Sequence, residues 1–238
     1  KKKIQLVVND KKKKTTEELK KKKYQRIVIQ NNLENINWKN LKYIMICVKP
    51  YDANILLNRI KNYIKKNTIL ISFAAGLVAK KISQLLGKQF RIIRLMPNIL
   101  IRVEKSNTGA YKNFTDHKIK KKIEKDFNFF GMFTWLKRED QMHFFTALYG
   151  GDPAYVSFFF QCLLSISKKY GFETQHSREM VLSLLYGTSE YLESENTNFS
   201  EVIGKVASKG GTTEEALMFF EKNEKFLNLL EKGIVMAE

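Results

Sequence analysis

The amino-acid sequence predicts a parallel α/β domain followed by an all-helical region. Three observations carry that prediction. Short β-rich runs alternate with helix-compatible stretches through residues 4–96. One of those runs, YIMICV at 43–48, is apolar on both faces, as a strand buried between two helical layers requires. After about residue 139 the β-rich runs stop and long apolar stripes at helical spacing take over.

Taken in order, IQLVV (4–8) reads as a strand, and the Thr15, Thr16, Glu17, Glu18 and Leu19 stretch suits a capped helix. RIVIQ (26–30) is a second strand and YIMICV (43–48) a third, ended by Lys49 and Pro50. Residues 51–66 set Ile55, Leu56, Ile60, Tyr63 and Ile64 at helical spacing, and TILISF (68–73) returns to β. Ala74, Ala75 and Gly76 form a small-residue turn, residues 78–86 a helix and FRIIRLM (90–96) a strand that Pro97 and Asn98 break. The later helices are residues 141–151, 153–171, 177–194 and 213–238. The stripe of Tyr155, Phe158, Phe159, Cys162, Leu163 and Ile166 exceeds what one covering face needs, which points either to helix-on-helix core or to a subunit interface.

The 238 residues suffice to bury one large core or two modest ones, and 44% hydrophobic content with only three prolines argues for an ordered globular chain. Half of the net charge of +18 sits in residues 1–26, where eleven lysines and one arginine meet three acids. The lysine runs at 1–3, 11–14 and 20–23 lack interleaved arginines and aromatics, so they read first as a solvated face, then as phosphate attraction, and last as a nucleic-acid surface. Cys47 and Cys162 lie in apolar runs, predict buried reduced thiols, and form neither a disulfide framework nor a zinc pattern. No run approaches the roughly 18 consecutive apolar residues of a membrane span, and the start has no signal-peptide core. The expected setting is soluble and cytoplasmic. His117, His143 and His176 are isolated, so no metal site is expected.

Five motifs follow one another: Val48, Lys49, Pro50; Ser-Phe-Ala-Ala-Gly at 72–76; Met-Pro-Asn at 96–98; Thr-Ala-Leu at 146–148 with Pro-Ala-Tyr at 153–155; and Ser-Lys-Gly-Gly-Thr-Thr at 208–213. This set resembles the pyrroline-5-carboxylate reductases over nearly the whole chain, and its last block is the most specific. The resemblance implies a Rossmann-like domain over residues 1–138 and an all-helical dimerisation and substrate-binding domain over 139–238. It implies reduction of 1-pyrroline-5-carboxylate to L-proline, the last step of proline biosynthesis, by hydride from NADPH, with NADH possible, in a homodimer or larger homo-oligomer. Cofactor contacts would come from Asn9, Lys11, Val48, Lys49, Pro50, Ala74, Ala75, Gly76, Met96 and Asn98. Asn9, Lys11 and Lys12 favour a 2′-phosphate, while Asp10 keeps NADH open. Ser208, Gly210, Gly211, Thr212 and Thr213 would hold the substrate carboxylate, and Thr213 would face the ring nitrogen as the catalytic residue. The same threonines also suit a helix cap with acids at 214 and 215.

Departures from the family pattern accompany the match. The sequence has no Gly-x-Gly-x-x-Gly, so the first strand and its glycine-rich turn are absent from residues 1–238. Either the given chain starts after them, the favoured reading, or a dinucleotide is not held in the usual way. Where the family reads Ser-Gly-Ser-Gly-Pro-Ala-Tyr, this chain has Tyr149, Gly150, Gly151 and Asp152 before Pro153. Asp152 is read first as a helix cap, and otherwise as a charge that repels a carboxylate or attracts an iminium. Ile99 and Leu100 replace the family's Thr-Pro, Glu104, Lys105 and Ser106 its Gly-Glu-Gly, and Lys209 its proline. These changes leave room for a related imine or hydroxyacid reductase, or for a non-catalytic binding or scaffold relative.

Overall fold

The computed structural model describes residues 5–22, 25–87 and 90–237. Lysines 1–3 and 23, and Ile4 of the first strand reading, lie outside the described residues. The chain divides into two compact units, Lys1–Met96 with Ala110–Asp126, and Pro97–Gly109 with Phe127–Glu238.

In the first unit, β1 (Leu6–Val8) pairs with β2 (Ile27–Ile29) in parallel, Leu6 opposite Ile27 and Val8 opposite Ile29, as a two-stranded sheet of its own. Helix α1 (Lys13–Lys21) joins them. It begins ahead of the threonines because Asp10 Oδ1 accepts from the Lys12 amide at 2.8 Å, so neither Thr15 nor Thr16 is its cap. Strands β3 (Tyr43–Ile46), β4 (Ile69–Ser72) and β5 (Arg91–Met96) run parallel, Ile46 opposite Ser72 and Ser72 opposite Arg94. The single parallel sheet expected from the sequence is therefore met in two parts, and among the described residues no strand pairs with both β1 and β3.

All four residues of β4 are buried, in keeping with the continuous β-rich run read there. One face is covered by α2 (Pro50–Ile60) and α3 (Ala79–Leu86). Helix α2 turns Ala53, Leu57 and Ile60 inward, and α3 turns in Ala79, Ile82 and Leu86, both at the helical period, onto Ile46, Leu70 and Ile92. Ile55 and Tyr63, which share the apolar spacing, are exposed. Gly87 ends α3 with φ +65°, the left-handed closing residue that glycine adopts most easily. Beyond β5, Asn113 stands in for a ladder residue: its Oδ1 accepts from the Ile92 amide at 2.8 Å and its Nδ2 donates to Phe90 O at 3.0 Å. Helix α4 (His117–Asp126) buries Ile119 and Ile123.

The second unit holds the start of β6 (Asn107–Lys112) next to β7 (Met132–Trp135), with the Met132 amide donating to Ser106 O at 2.9 Å. These two strands and α4 lie in a stretch the sequence reading left unassigned, being short and interrupted by polar residues. The helical half follows as α5 (Gln141–Phe145), a π-helical turn (Thr146–Gly150), α6 (Asp152–Lys169), α7 (Thr174–Ser194), α8 (Phe199–Val206), α9 (Thr212–Glu221) and α10 (Lys225–Val235). Across α6 to α10 only Ser177 is buried, and Phe158, Phe159 and Ile166 stand 68%, 48% and 53% exposed. The stripe is not an internal core of this chain. The two cysteines also depart from expectation: both are exposed rather than buried, Cys47 just past the end of β3 and Cys162 on a face of α6 with no covering layer.

Candidate active site

Ligands of open parallel sheets bind outside the carboxyl ends of the strands, and in the first unit those ends gather the predicted residues. After β1, Asn9 Nδ2 donates to Gln30 O at 2.6 Å and Asn31 O at 3.1 Å, tying β1 to the end of β2. Asp10 is engaged by the Lys12 amide, so its carboxylate serves the turn. The Lys11 ammonium lies 2.8 Å from both carboxylate oxygens of Asp52 in the first turn of α2. The hydrogen bond that Lys11 donates to Asp52 is the leading cause that raises the Lys11 pKa above its ordinary value.

After β3, Val48 packs against the core, Lys49 is the extended residue ahead of α2, and Pro50 opens the helix, where its missing N–H removes nothing. After β4, the Ala74 amide donates to Ser72 Oγ at 3.3 Å and the Ala74 side chain turns into the core. Ala75 and Gly76 are exposed, and Gly76 has φ +72° with open space where a side chain would stand. Of the three small residues, 75 and 76 are the pair a ligand can reach. Met96 ends β5 half-buried.

In the second unit, Asn98 is 6% exposed and its amide is fully engaged. Nδ2 donates to Tyr149 O at 3.0 Å and to Asp152 Oδ1 at 3.1 Å, while Oδ1 accepts from the Leu100 amide at 3.0 Å. Its own backbone N–H donates to Ser106 Oγ at 2.9 Å. Asp152 is not a cap. It is the first residue of α6, Gly151 precedes it without a side-chain cap, and its carboxylate faces Asn98 and Asn107. Burial pushes its pKa up, against the opposing pull of those two amides.

The loop before α9 is built from close backbone contacts. Gly211 N donates to Ser208 O at 2.9 Å, and a Cβ on Gly211 would stand 2.7 Å from Ser208 Oγ and 3.0 Å from Ser208 O, so a side chain there would have to displace the Ser208 hydroxyl. Gly210 has φ +73°, and its N–H donates to Glu214 Oε2 at 2.6 Å. Gly211 is the residue that opens α9, so the expected threonine cap is not formed; the backward reach of Glu214 takes its place. Thr212 and Thr213 are the first two residues of the helix, where amide N–H groups have no partner within the helix and the dipole favours an anion. Among the described residues no group of three or more His, Cys, Asp or Glu could hold a metal ion.

Residues 139–237 match the family model for pyrroline-5-carboxylate reductase dimerisation. A pyrroline-5-carboxylate reductase of Staphylococcus aureus is 33% identical over 180 residues, 75% of this chain and 66% of the relative. The chain belongs to the pyrroline-5-carboxylate reductase family. A Staphylococcus epidermidis reductase is 32% identical over the same coverage, so the chain spans 66% of the length of the curated relatives it matches. Among solved structures, the Plasmodium falciparum pyrroline carboxylate reductase with NADP bound is 26% identical, covers 98% of this chain and 84% of its own, and superposes with a TM-score of 0.80. The Coxiella burnetii pyrroline-5-carboxylate reductase, 24% identical, shares the fold with a TM-score of 0.86 over 97% of this chain and 85% of its own.

The reductase-family motifs thus fall at strand ends in one unit and at a helix start in the other. The structure joins Asn98 to Asp152, and Lys11 to the α2 start beside Lys49 and Pro50. The hydrogen bonds of the 208–211 backbone are made locally. Sequence reasoning missed Asp52, named Ser106 only as a departure from the family pattern, and named the acid at 214 only as part of a threonine-capped helix start. Asp52, at the third position of α2, carried a findable signal, since first-turn acids are favoured there. The contact of the Ser106 hydroxyl with the Asn98 amide left no sign in the sequence.

Proposed function

We propose that this chain reduces 1-pyrroline-5-carboxylate to L-proline with NADPH, and with NADH less readily, as a homodimer or larger homo-oligomer in the cytoplasm. The observation that carries the reading is the glycine loop at residues 208–213 opening α9, in a chain of this family. The functional division falls near residue 139, supported by the span of the matched dimerisation model. In this reading Asn9, Lys11, Val48, Lys49, Pro50, Ala74, Ala75, Gly76, Met96 and Asn98 form the cofactor side. The residues fit a dinucleotide: a lysine pair after β1 suits phosphate, and the open approach over Gly76 suits a flat ligand. Asn98, with its amide engaged, acts by shaping the turn after β5 rather than by donating to the cofactor.

The hydride for the imine carbon comes from the reduced nicotinamide when it is bound. The chain's own residues have three tasks. The first-turn amides of Thr212 and Thr213, backed by the α9 dipole, hold the substrate carboxylate together with the Ser208 hydroxyl, while Gly210 and Gly211, whose own N–H groups are engaged by Glu214 and Ser208, shape the loop around it. The Thr213 hydroxyl holds the proton that the ring nitrogen takes up, directly or through one water. Glu214 fixes the shape of the loop by accepting from the Gly210 amide.

The test follows NADPH oxidation with pyrroline-5-carboxylate and measures proline formed, using protein expressed from its whole reading frame. Turnover that falls about 100-fold or more in Thr213→Ala supports the reading; a folded wild type with no turnover overturns it. Asp152 at the family's glycine position favours one second reading, a related imine reductase of altered substrate range. A panel of cyclic imines separates the two.

A further inference from the structure

We propose that Asp52 sets the balance between NADPH and NADH by competing with the cofactor's 2′-phosphate for the ammonium of Lys11. The inference deepens the proposed function and rests on its reading of the β1 end as the ribose edge of the nucleotide site.

Lys11 and Asp52 are 41 positions apart in sequence, yet the ammonium meets both carboxylate oxygens at 2.8 Å. Lys11 follows β1 and Asp52 stands in the first turn of the helix that follows β3, so the pair bridges the carboxyl ends of two strands. Such ends are where a dinucleotide lies in this architecture, and the residue just past this strand is the one that reads the ribose 2′ position. The partners are unequally placed: the Lys11 side chain is 67% exposed, that of Asp52 21%. Asp52 is fixed, its amide donating to Lys49 O at 3.0 Å in the helix start, while Lys11 swings on a flexible stem.

The charged and titratable groups around Lys11 are Asp52, Tyr51 and Asp10, with Asp52 foremost and Asp10 engaged by the Lys12 amide. A 2′-phosphate arriving here must either take Lys11 from Asp52 or share it across a like charge. A 2′-hydroxyl carries no charge and is nearly indifferent. Asp52 therefore weakens NADPH selectively, and removal of its charge restores a lysine that is free to meet phosphate.

The experiment titrates NADPH and NADH by nicotinamide fluorescence against wild type, Asp52→Asn, Lys11→Gln and the double variant. The expected result is NADPH binding tightened about 3- to 10-fold by Asp52→Asn, a gain that shrinks with added salt, with NADH changed less than about twofold. Lys11→Gln weakens NADPH selectively, and in the double variant the benefit of Asp52→Asn disappears. Equal shifts for both cofactors, no shift, or weaker NADPH binding in Asp52→Asn overturns the inference. A folded wild type that binds neither nucleotide overturns the nucleotide-site reading, and the inference with it.

Discussion

Asn98, the last residue of the Met-Pro-Asn motif, spends its side chain on structure. With three partners on its side chain, and Ser106 and Ile101 on its backbone, it locks the turn after β5 to the π-helical turn and to the start of α6. Asp152 is the replaceable member of that node. Its folded pKa is raised, so the folded protein binds a proton more readily than the unfolded chain, and the charged carboxylate opposes folding above that pKa. Asp152→Asn keeps an oxygen for Asn98 Nδ2 and removes the charge. The variant is expected to melt at a higher temperature than wild type at pH 7, with the advantage shrinking as pH falls toward the ordinary carboxylate range near about 4. Melting curves across that range check the sign. Asp152→Ala, which leaves Nδ2 short of a partner, is expected to lose about 1–3 kcal/mol by chemical denaturation.

At the scale of elements, glycines separate backbone strain from lack of space. Gly87 and Gly131 both have positive φ, +65° and +88°. A Cβ on Gly87 meets nothing within 4 Å, whereas on Gly131 it would stand 2.5 Å from Ser106 O and 2.7 Å from Ser106 N. Gly87→Ala is expected to cost about 1 kcal/mol, from conformation alone. Gly131→Ala is expected to cost on the order of 3 kcal/mol, because strain and a backbone collision add. Urea unfolding of both variants measures the difference, and equal losses would mean that the approach of residue 131 to 106 is not rigid. The same distinction explains Gly211, where the constraint is proximity to Ser208 rather than φ.

At the scale of the whole molecule, the helices after residue 151 expose what a core would hide. Met218, Phe219, Leu227 and Leu229 are each at least 60% exposed, and a groove of about 770 Å³ between α7 and α8 is lined by Met180, Leu184, Tyr191, Val202 and Val206. Apolar surface on this scale calls for a covering partner, in line with the matched dimerisation model. Phe158→Glu combined with Phe219→Glu is expected to shift the assembly toward monomer in size-exclusion chromatography with light scattering. An unchanged mass would place the interface elsewhere. Among the described residues no helix is long and apolar enough to cross a membrane, so the exposed stripes are not spans.

The sequence by itself determined the alternation of strands and helices, because the buried parts of β4 and β5 show as short runs of consecutive apolar residues at 69–71 and 92–93, and α2 and α3 must repeat at the helical period. It also determined the motifs at the strand ends and the glycine loop, because each is written in consecutive residues. Tertiary structure alone decided what those motifs touch. Asp52 reaches Lys11 across 41 positions, Asp152 reaches Asn98 across 54, and Gly131 closes on Ser106. Pairings over such distances leave no periodic trace in the chain, since a single hydrogen bond or close approach fixes one residue at each end and nothing between. The exposure of the α6 stripe was undecided for a related reason: a helix face looks the same in sequence whether its own chain or another subunit covers it.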